Sequence, residues 1–436
     1  MKQVIIYSIL LVTGLILSQV LPSVLGENFE SISNVIRIAV MIGLAFIMIR
    51  VGFEFHIDKS KLSSYGWDYA VAFTAAFLPW VLVAGYFIFV MLPSDVWLNY
   101  NAITESLLAG RFAAPTSAGV LFSMLAAAGL GATWVFKKAR ILAIFDDLDT
   151  VLLMIPLQML IIGLAWQLGI IVALMFGLLA VAYIWLHKIE IPVSWRWILF
   201  YSLLIVGVSE LIYSGSTLLD PSVPVHIEVL LPAFVLGCVA RPRRVSTPDE
   251  DIISVEHDMH RLLNHRDERR AATIVSGAFM LLVGLSMPTI FSATDVQSAT
   301  KQSDGISVDT NLSSSTTDKK TPNIDTVTAS QPSLPWQTIL FHVLAITILS
   351  NIGKMFPAFC YRKEAHWRHR LAVAVGMWPR GEVGAGILVL SISYGIGGPI
   401  VTVALLSLAL NLSLTGIFII FVKRLINGVP EPKQSY

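Results

Sequence analysis

The sequence predicts an all-α polytopic membrane protein, and three observations carry that reading. Of 436 residues, 55% are apolar and 14% are charged, and the apolar residues gather into blocks near the roughly 20 residues that cross a bilayer as a helix. The charged residues collect between those blocks. Two blocks are interrupted at matching places by a proline followed by polar residues, which points to an internal repeat.

Twelve blocks run near 4–24, 34–50, 67–92, 106–132, 140–163, 166–186, 195–213, 224–240, 271–291, 335–358, 371–393 and 396–423. A minimal turn at Ala165 to Leu168 separates the fifth and sixth. Lys and Arg favour cytoplasmic loops, and the even-numbered loops hold Arg50, Lys59 and Lys61; Lys137, Lys138 and Arg140; Lys188 and Arg196; seven Arg between 241 and 270; Arg362, Lys363, Arg368 and Arg370, whereas the odd-numbered loops hold almost none outside the long insert, where Lys301, Lys319 and Lys320 lie and the rule weakens. Both termini are therefore expected in the cytoplasm, with the chain in the inner (plasma) membrane. Arg111 falls inside the fourth block. Residues 1–25 also read as a signal peptide, with Lys2 before an apolar run and Ser23-Val24-Leu25-Gly26 as a faint cleavage site.

The predicted organisation is a membrane domain over 1–291, holding the first repeat, the linker helices and the start of the second repeat, resumed over 335–424 by the rest of the second repeat. Within it, 241–270 is a cytoplasmic amphipathic loop, with helical periodicity from Ile252 to Leu263. Residues 292–334, rich in Ser, Thr and Asp, read as a disordered extracytoplasmic insert. Residues 425–436 form a cytoplasmic tail. Cys238 and Cys360 are the only cysteines and suggest no disulfide, metal cage or thiol nucleophile. The basic residues are accounted for by topology and the formal net charge is +1, so nothing supports nucleic-acid binding.

The repeat is read from the order of features. Span two ends in Phe46 to Phe53 and span nine carries Phe279 to Leu285; a span opening on Trp67 or Trp336 follows, and the next carries Ala114-Pro115-Thr116-Ser117 or Trp378-Pro379-Arg380-Gly381-Glu382. An offset of seven spans is odd, so the two five-span units lie in opposite orientations, with broken helices 4 and 11. Proline removes a backbone donor, and Gly381, Gly384 and Gly386 loosen the second break further. Backbone freed inside hydrocarbon must face protein or water, so paired breaks point to a shared cavity near the midplane, ordinary proline kinks being the alternative.

Asp146, Asp147 and Asp149 sit inside an otherwise apolar stretch of span five. Carboxylates there are costly and mark cation or proton sites. Asp146 lies six residues after Arg140, and Lys354 lies eight before Arg362, which places both roughly 9 to 12 Å inside the membrane and makes them candidate partners. The alternative, in which Lys354 snorkels to the interface, stays open at this point.

The run Gly376-Met377-Trp378-Pro379-Arg380-Gly381-Glu382-Val383-Gly384, the Asp146-Asp147 pair, the Gly353-Lys354 step and the Pro-Thr-Ser break together resemble the bacterial sodium/proton antiporters of the monovalent cation:proton antiporter superfamily. The resemblance covers the membrane domain; the 292–334 insert departs from it. It implies that Asp147 is the main ion- and proton-binding carboxylate, that Asp146 partners Lys354, and that Thr116 offers oxygen ligands, so that Asp147 and Thr116 would hold sodium. It implies that Pro115, Pro379, Arg380 and Glu382 support the broken helices, and that spans three to five and ten to twelve form a mobile core against a dimerisation domain. Asp149 lies outside the family pair and is either a supporting ligand, with Ser117, or a cytoplasmic funnel residue; Glu210 reads as a structural or dimer-face acid.

The expected activity is exchange of Na⁺ or Li⁺ for H⁺ by a homodimer in the lipid bilayer, electrogenic, with no cofactor and no enzymatic chemistry. A carboxylate, a hydroxyl and unwound carbonyls suit a hard cation, and the same carboxylate can carry a proton instead. A potassium/proton antiporter and a sodium-coupled solute symporter are the nearest alternatives, with a channel more distant. An intramembrane aspartic protease is disfavoured because its Gly-x-Gly-Asp motif is absent and the aspartates here are adjacent.

Overall fold

The computed structural model describes residues 2–25, 29–53, 62–162, 166–185, 188–219, 229–242, 266–287, 327–329, 331–332 and 334–432. In chain order these form α1 (Lys2–Leu25), α2 (Phe29–Phe53), α3 (Leu62–Tyr86, continued by a π turn over Phe87–Met91), α4 (Tyr100–Gly110), α5 (Ala118–Ala127), α6 (Trp134–Ile162), α7 (Trp166–Ile184), α8 (Trp195–Leu219), α9 (Leu230–Val239), α10 (Arg266–Leu285), α11 (Trp336–Gly353), α12 (Trp367–Gly376), α13 (Glu382–Ser393) and α14 (Gly398–Ile426). Six of the described helices are long and apolar enough to cross a membrane: α1, α2, α3, α8, α11 and α14. The fold is that of an all-α polytopic membrane protein. Its one addition to the all-α reading is a pair of three-residue parallel strands, β1 (Ile189–Ile191) against β2 (Ala240–Pro242).

Both proline-bearing spans are broken as expected. α4 and α5 are separated by a 3₁₀ turn at Arg111–Ala113 and an extended link, and α12 and α13 by the segment 377–381. Several boundaries shift, because hydropathy does not register caps. The fourth span starts at Tyr100, where the Asn99 side chain accepts from Asn101 N (2.9 Å). The fifth starts at Trp134, six residues before the predicted 140, where Thr133 Oγ1 accepts from Phe136 N (3.2 Å). Span nine runs 266–285 instead of 271–291, and its first turn is charged.

Glycines set the closest helix crossings. A Cβ on Gly14 would overlap the Leu281 carbonyl and one on Gly284 the Leu11 carbonyl, so α1 and α10 meet backbone to backbone. Gly52 and Gly237 do the same for α2 and α9, against the Phe234 and Ile49 carbonyls. Small residues that admit such close approach are how helices gain packing where lipid supplies no hydrophobic drive. On α11, a Cβ at Gly353 would sit 2.6 Å from Pro79 Cα of α3, which explains the residue before Lys354. Helix α1 is integral to this packing, with Val4 and Leu11 buried and the Tyr7 hydroxyl donating to the Thr273 carbonyl (3.1 Å).

The reading of 292–334 as a disordered insert is corrected at its end. Residues 327–329 form a turn in which Thr328 is fully buried. Both oxygens of the buried Glu105 carboxylate accept from it: Val327 N at 3.0 Å, Thr328 N at 2.8 Å and Thr328 Oγ1 at 2.6 Å. The Thr328 carbonyl lies against Gly398, whose φ of +72° and lack of a side chain both admit it. A carboxylate that composition does not show to be near thus fixes part of a Ser/Thr-rich segment, helped by Val327 packed against the core. The predicted helix from Ile252 to Leu263 and the insert up to 326 lie outside the described residues.

Candidate ion-exchange site

Asp146, Asp147 and Asp149 lie mid-way along α6, Asp146 being twelve residues from its start at Trp134 and so about 18 Å along the helix, deeper than a start at 140 implied. Asp146 is fully buried, as is Lys354 at the C-cap of α11. Lys354 Nζ donates to both Asp146 oxygens, at 2.8 and 2.9 Å, so the snorkelling alternative does not hold. Asp146 Oδ2 also accepts from the backbone N of Thr116 at 2.7 Å. That donor is available because the break in the fourth span leaves Thr116 N without a helical acceptor.

The two breaks cross and satisfy one another. Thr116 Oγ1 donates to the Met377 carbonyl (3.0 Å), and Ser117 N to the Pro379 carbonyl (2.9 Å). Arg380, fully buried, uses its whole fork: Nε to the Ala113 carbonyl (3.0 Å), Nη1 to Asn351 Oδ1 (2.8 Å) and Nη2 to the Ser350 carbonyl (3.0 Å). It thereby bonds a carbonyl at the first break and one near the end of α11. Pro115 and Pro379 lie within the two breaks, and Glu382 is the first residue of α13; its side chain is outside those described.

Asp147 is 6% exposed, on the same helix turn as Asp146 and about 100° further round. Ser117 spends its hydroxyl on capping α5, accepting from Val120 N (3.4 Å). The funnel reading of Asp149 is overturned: the residue is fully buried, three positions after Asp146 and so on the same face. Glu210 accepts a two-pronged bond from Arg37, at 2.9 Å on both oxygens, far along the sequence in α2.

Several residues of the site were missed. Thr150 Oγ1 bonds back to the Asp146 carbonyl (2.8 Å), bracing the acidic turn. Asn351 lies one helical turn before Lys354, a spacing that could have flagged it. Arg111 was read only as a residue inside a span; it is fully buried, its Nη2 donates to the Asp149 carbonyl (3.0 Å), and its guanidinium lies 4.8 Å from the centre of the Trp80 ring.

A second buried cluster joins other segments. Lys138 Nζ donates to Asp68 at 3.0 and 3.3 Å and pairs with Glu364 at 3.1 Å; the Tyr361 hydroxyl donates to Asp68 Oδ1 at 2.7 Å. Burial, and after it the Asp68 charge, push the Tyr361 hydroxyl well above its ordinary range, so it stays a donor. Tyr361 holds a left-handed φ of 56°, a conformation that non-glycine residues keep only when their surroundings fix it. Trp134 N donates to Glu431 Oε2 (3.1 Å), bringing the C-terminal segment to the same place.

With this geometry in view, comparison with known proteins is informative at the level of fold. No protein-family model matches the sequence, and no curated protein matches it. The solved structure of the sodium proton antiporter MjNhaP1 from Methanocaldococcus jannaschii does match, over 94% of this chain and 91% of that one, with a TM-score of 0.51 at 15% identity. The fold is shared with that antiporter. At this identity the likeness is one of architecture, and the site has to be argued from its own residues.

Proposed function

We propose that this chain is a secondary active antiporter that exchanges sodium or lithium for protons by alternating access. The observation that carries the reading is the fully buried Lys354–Asp146 pair joined to a backbone donor freed by a broken helix, one residue from Asp147. Intramembrane ions paired in this way, beside unwound backbone, mark a transport site more readily than a fold support. The fold shared with a sodium proton antiporter supports the same conclusion.

In this reading Asp147 binds either the cation or a proton, with Thr116 and carbonyls of the unwound stretches completing the oxygen shell. Sodium approaching Asp147 draws Asp146 towards it, weakening the bond to Lys354, whose ammonium then gives up a proton. Two protons move against one sodium, so exchange carries net charge. Arg380 keeps the broken ends aligned through the cycle.

Twelve spans in two inverted repeats fit the packing. Under an offset of seven spans, the α1–α10 crossing maps onto that of α9 with α2, and both are glycine pairs. Orientation is supported by the two ends of the molecule. Asp68, Lys138, Tyr361, Glu364 and Glu431 gather segments that the charge rule assigns to the cytoplasm. Glu105, Thr328 and Gly398 gather segments assigned to the other side. A homodimer in an inner membrane, with spans three to five and ten to twelve as the moving part, completes the proposal.

The test is a pH gradient across proteoliposomes, monitored while Na⁺, Li⁺ and K⁺ are added in turn. Collapse with Na⁺ or Li⁺ is expected. Collapse with K⁺ alone would assign a potassium exchanger, and solute uptake driven by Na⁺ without proton movement would assign a symporter.

A further inference from the structure

We propose that the shared starting end of α1 and α10 holds the headgroup of an anionic phospholipid, with Arg266, Arg269 and Arg270 on its phosphate. The inference goes beyond the exchange reading. It rests only on the chain lying in a bilayer, with this end in the leaflet that the charge rule assigns to the cytoplasm.

Helices α1 and α10 run side by side in the same direction, with Tyr7 against Thr273 and Gly14 against Gly284. At the end where both begin they leave an open cleft of about 660 Å³, lined by Gln3 of α1 and by Arg266, Arg269, Arg270, Thr273 and Ile274 of α10. Arg266, Arg269, Arg270 and Thr273 follow the i, i+3, i+4, i+7 spacing of one helix face. The sequence turns apolar directly after Arg270, so the arginines flank the hydrocarbon. Both walls of the cleft continue as apolar surface: Ile274, one turn beyond Arg270, is 71% exposed, and Ile6, one turn beyond Gln3, is 51% exposed. Cations at the depth of the phosphates with bare apolar side chains beneath them match the two parts of one lipid, and basic clefts between spans on this side bind such headgroups.

The charge rule explains why arginines lie at this end, but it does not explain why their side chains are left unused. Elsewhere at the same end the cations engage protein. Arg368 donates to the Arg424 carbonyl (3.1 Å), Arg370 to the Cys360 carbonyl (3.2 Å) and Lys423 to the Ala128 carbonyl (2.6 Å), and Lys138 pairs with Asp68. The side chains of Arg266, Arg269 and Arg270 make no hydrogen bond or ion pair among the described residues. Helix stability does not account for them either, since cations at a helix N-terminus oppose its dipole. Of the two acids in that turn, Glu268 is spent on other helices, accepting from Trp195 N (3.0 Å) and pairing with Arg50 (3.7 Å). Asp267 offsets only part of the remaining charge. Guanidinium forks match phosphate oxygens two at a time, and the Gln3 amide supplies a further donor for the headgroup.

The test counts bound lipid by native mass spectrometry while phosphatidylglycerol or phosphatidylcholine is titrated into the full chain in neutral detergent. It reads binding without transport, so failure of the exchange reading would leave its result untouched. Wild type is expected to retain phosphatidylglycerol in preference to phosphatidylcholine. Replacing Arg266, Arg269 and Arg270 together by Gln should weaken that retention roughly tenfold or more. Replacing the exposed Lys137, Lys188 and Lys363 by Gln, which removes the same charge from the same end, should leave it unchanged. Arg269→Gln alone, expected to weaken retention about fivefold, carries the test if the triple variant folds poorly. Equal retention of the two lipids, equal losses in the two triple variants, or an Arg269→Gln protein that retains lipid like wild type would overturn the proposal. Displacement of the lipid by millimolar inorganic phosphate would overturn it too, by showing a site for the free anion.

Discussion

Two buried lysine–aspartate pairs can be set side by side in this molecule. Lys354–Asp146 is fully enclosed, at 2.8 and 2.9 Å, and among the described residues Thr116 N is the one further hydrogen-bond donor to the carboxylate. Lys138–Asp68 is looser, at 3.0 and 3.3 Å, and is surrounded: Glu364 gives the lysine a second carboxylate, Tyr361 gives Asp68 a hydroxyl, and the Tyr361 ring lies 4.3 Å from the ammonium. Glu364 is partly exposed, with 38% of its side chain accessible. Burial of an ion pair is therefore a poor guide to its role. A pair that is over-supplied with partners beside water ties segments together, whereas in the proposed exchange cycle the sparsely supplied pair at depth, next to unwound backbone, is the one that is broken.

The largest effect that sharpens this contrast is expected at the deep pair. Lys354→Gln or Asp146→Asn should slow exchange by an order of magnitude or more and weaken or abolish its response to a valinomycin-clamped membrane potential. Exchange in the wild type that ignores the potential at equal pH gradients would reduce the deep pair to a structural one. At the shallow pair the order reverses. Asp68→Asn leaves Lys138 with Glu364, and should cost on the order of 2–4 kcal/mol of stability, discounted for the exposed rim from the figure for breaking a buried pair. Its sodium KM and voltage response should match wild type; thermal melting in detergent and liposome exchange measure the two halves. A changed KM would show that the cluster is part of the transport path.

The smallest effect is expected in the insert. Deleting 295–320 should leave exchange within about twofold of wild type, since so polar a segment has little to pack. Thr328→Val, which removes one of three bonds to Glu105, should lower the melting point slightly, for a net loss of about 1 kcal/mol. A deletion that carried on through 327–329 is not expected to be neutral, because it would strand the buried Glu105 carboxylate.

How much of this was legible in the sequence follows from what each feature depends on. The breaks at Pro115 and Pro379 were legible because proline acts locally, through its missing donor. The Asp146–Lys354 pair was legible because two charges in hydrocarbon have few ways to be satisfied. Asp68 and Lys138 were not paired in advance, because both lie near loops where charge is ordinary and water is an adequate partner. Arg111 was visible as a residue inside a span, but its relation to Asp149 depends on how α6 rotates against the fourth span, which no local rule reports. The Gly14–Gly284 and Gly52–Gly237 crossings were hidden for the same reason: a glycine in a helix announces neither its partner nor its closeness.

The central claim is that Asp147 carries cation and proton in turn at a site built by the two breaks. Its most direct test is Asp147→Asn in proteoliposomes beside wild type, with the pH gradient followed after sodium addition and the protein checked for monodispersity in detergent. The account predicts that the variant inserts and remains folded, because a charge has been removed from hydrocarbon, while sodium no longer dissipates the gradient. Gradient collapse by Asp147→Asn at the wild-type rate would contradict it.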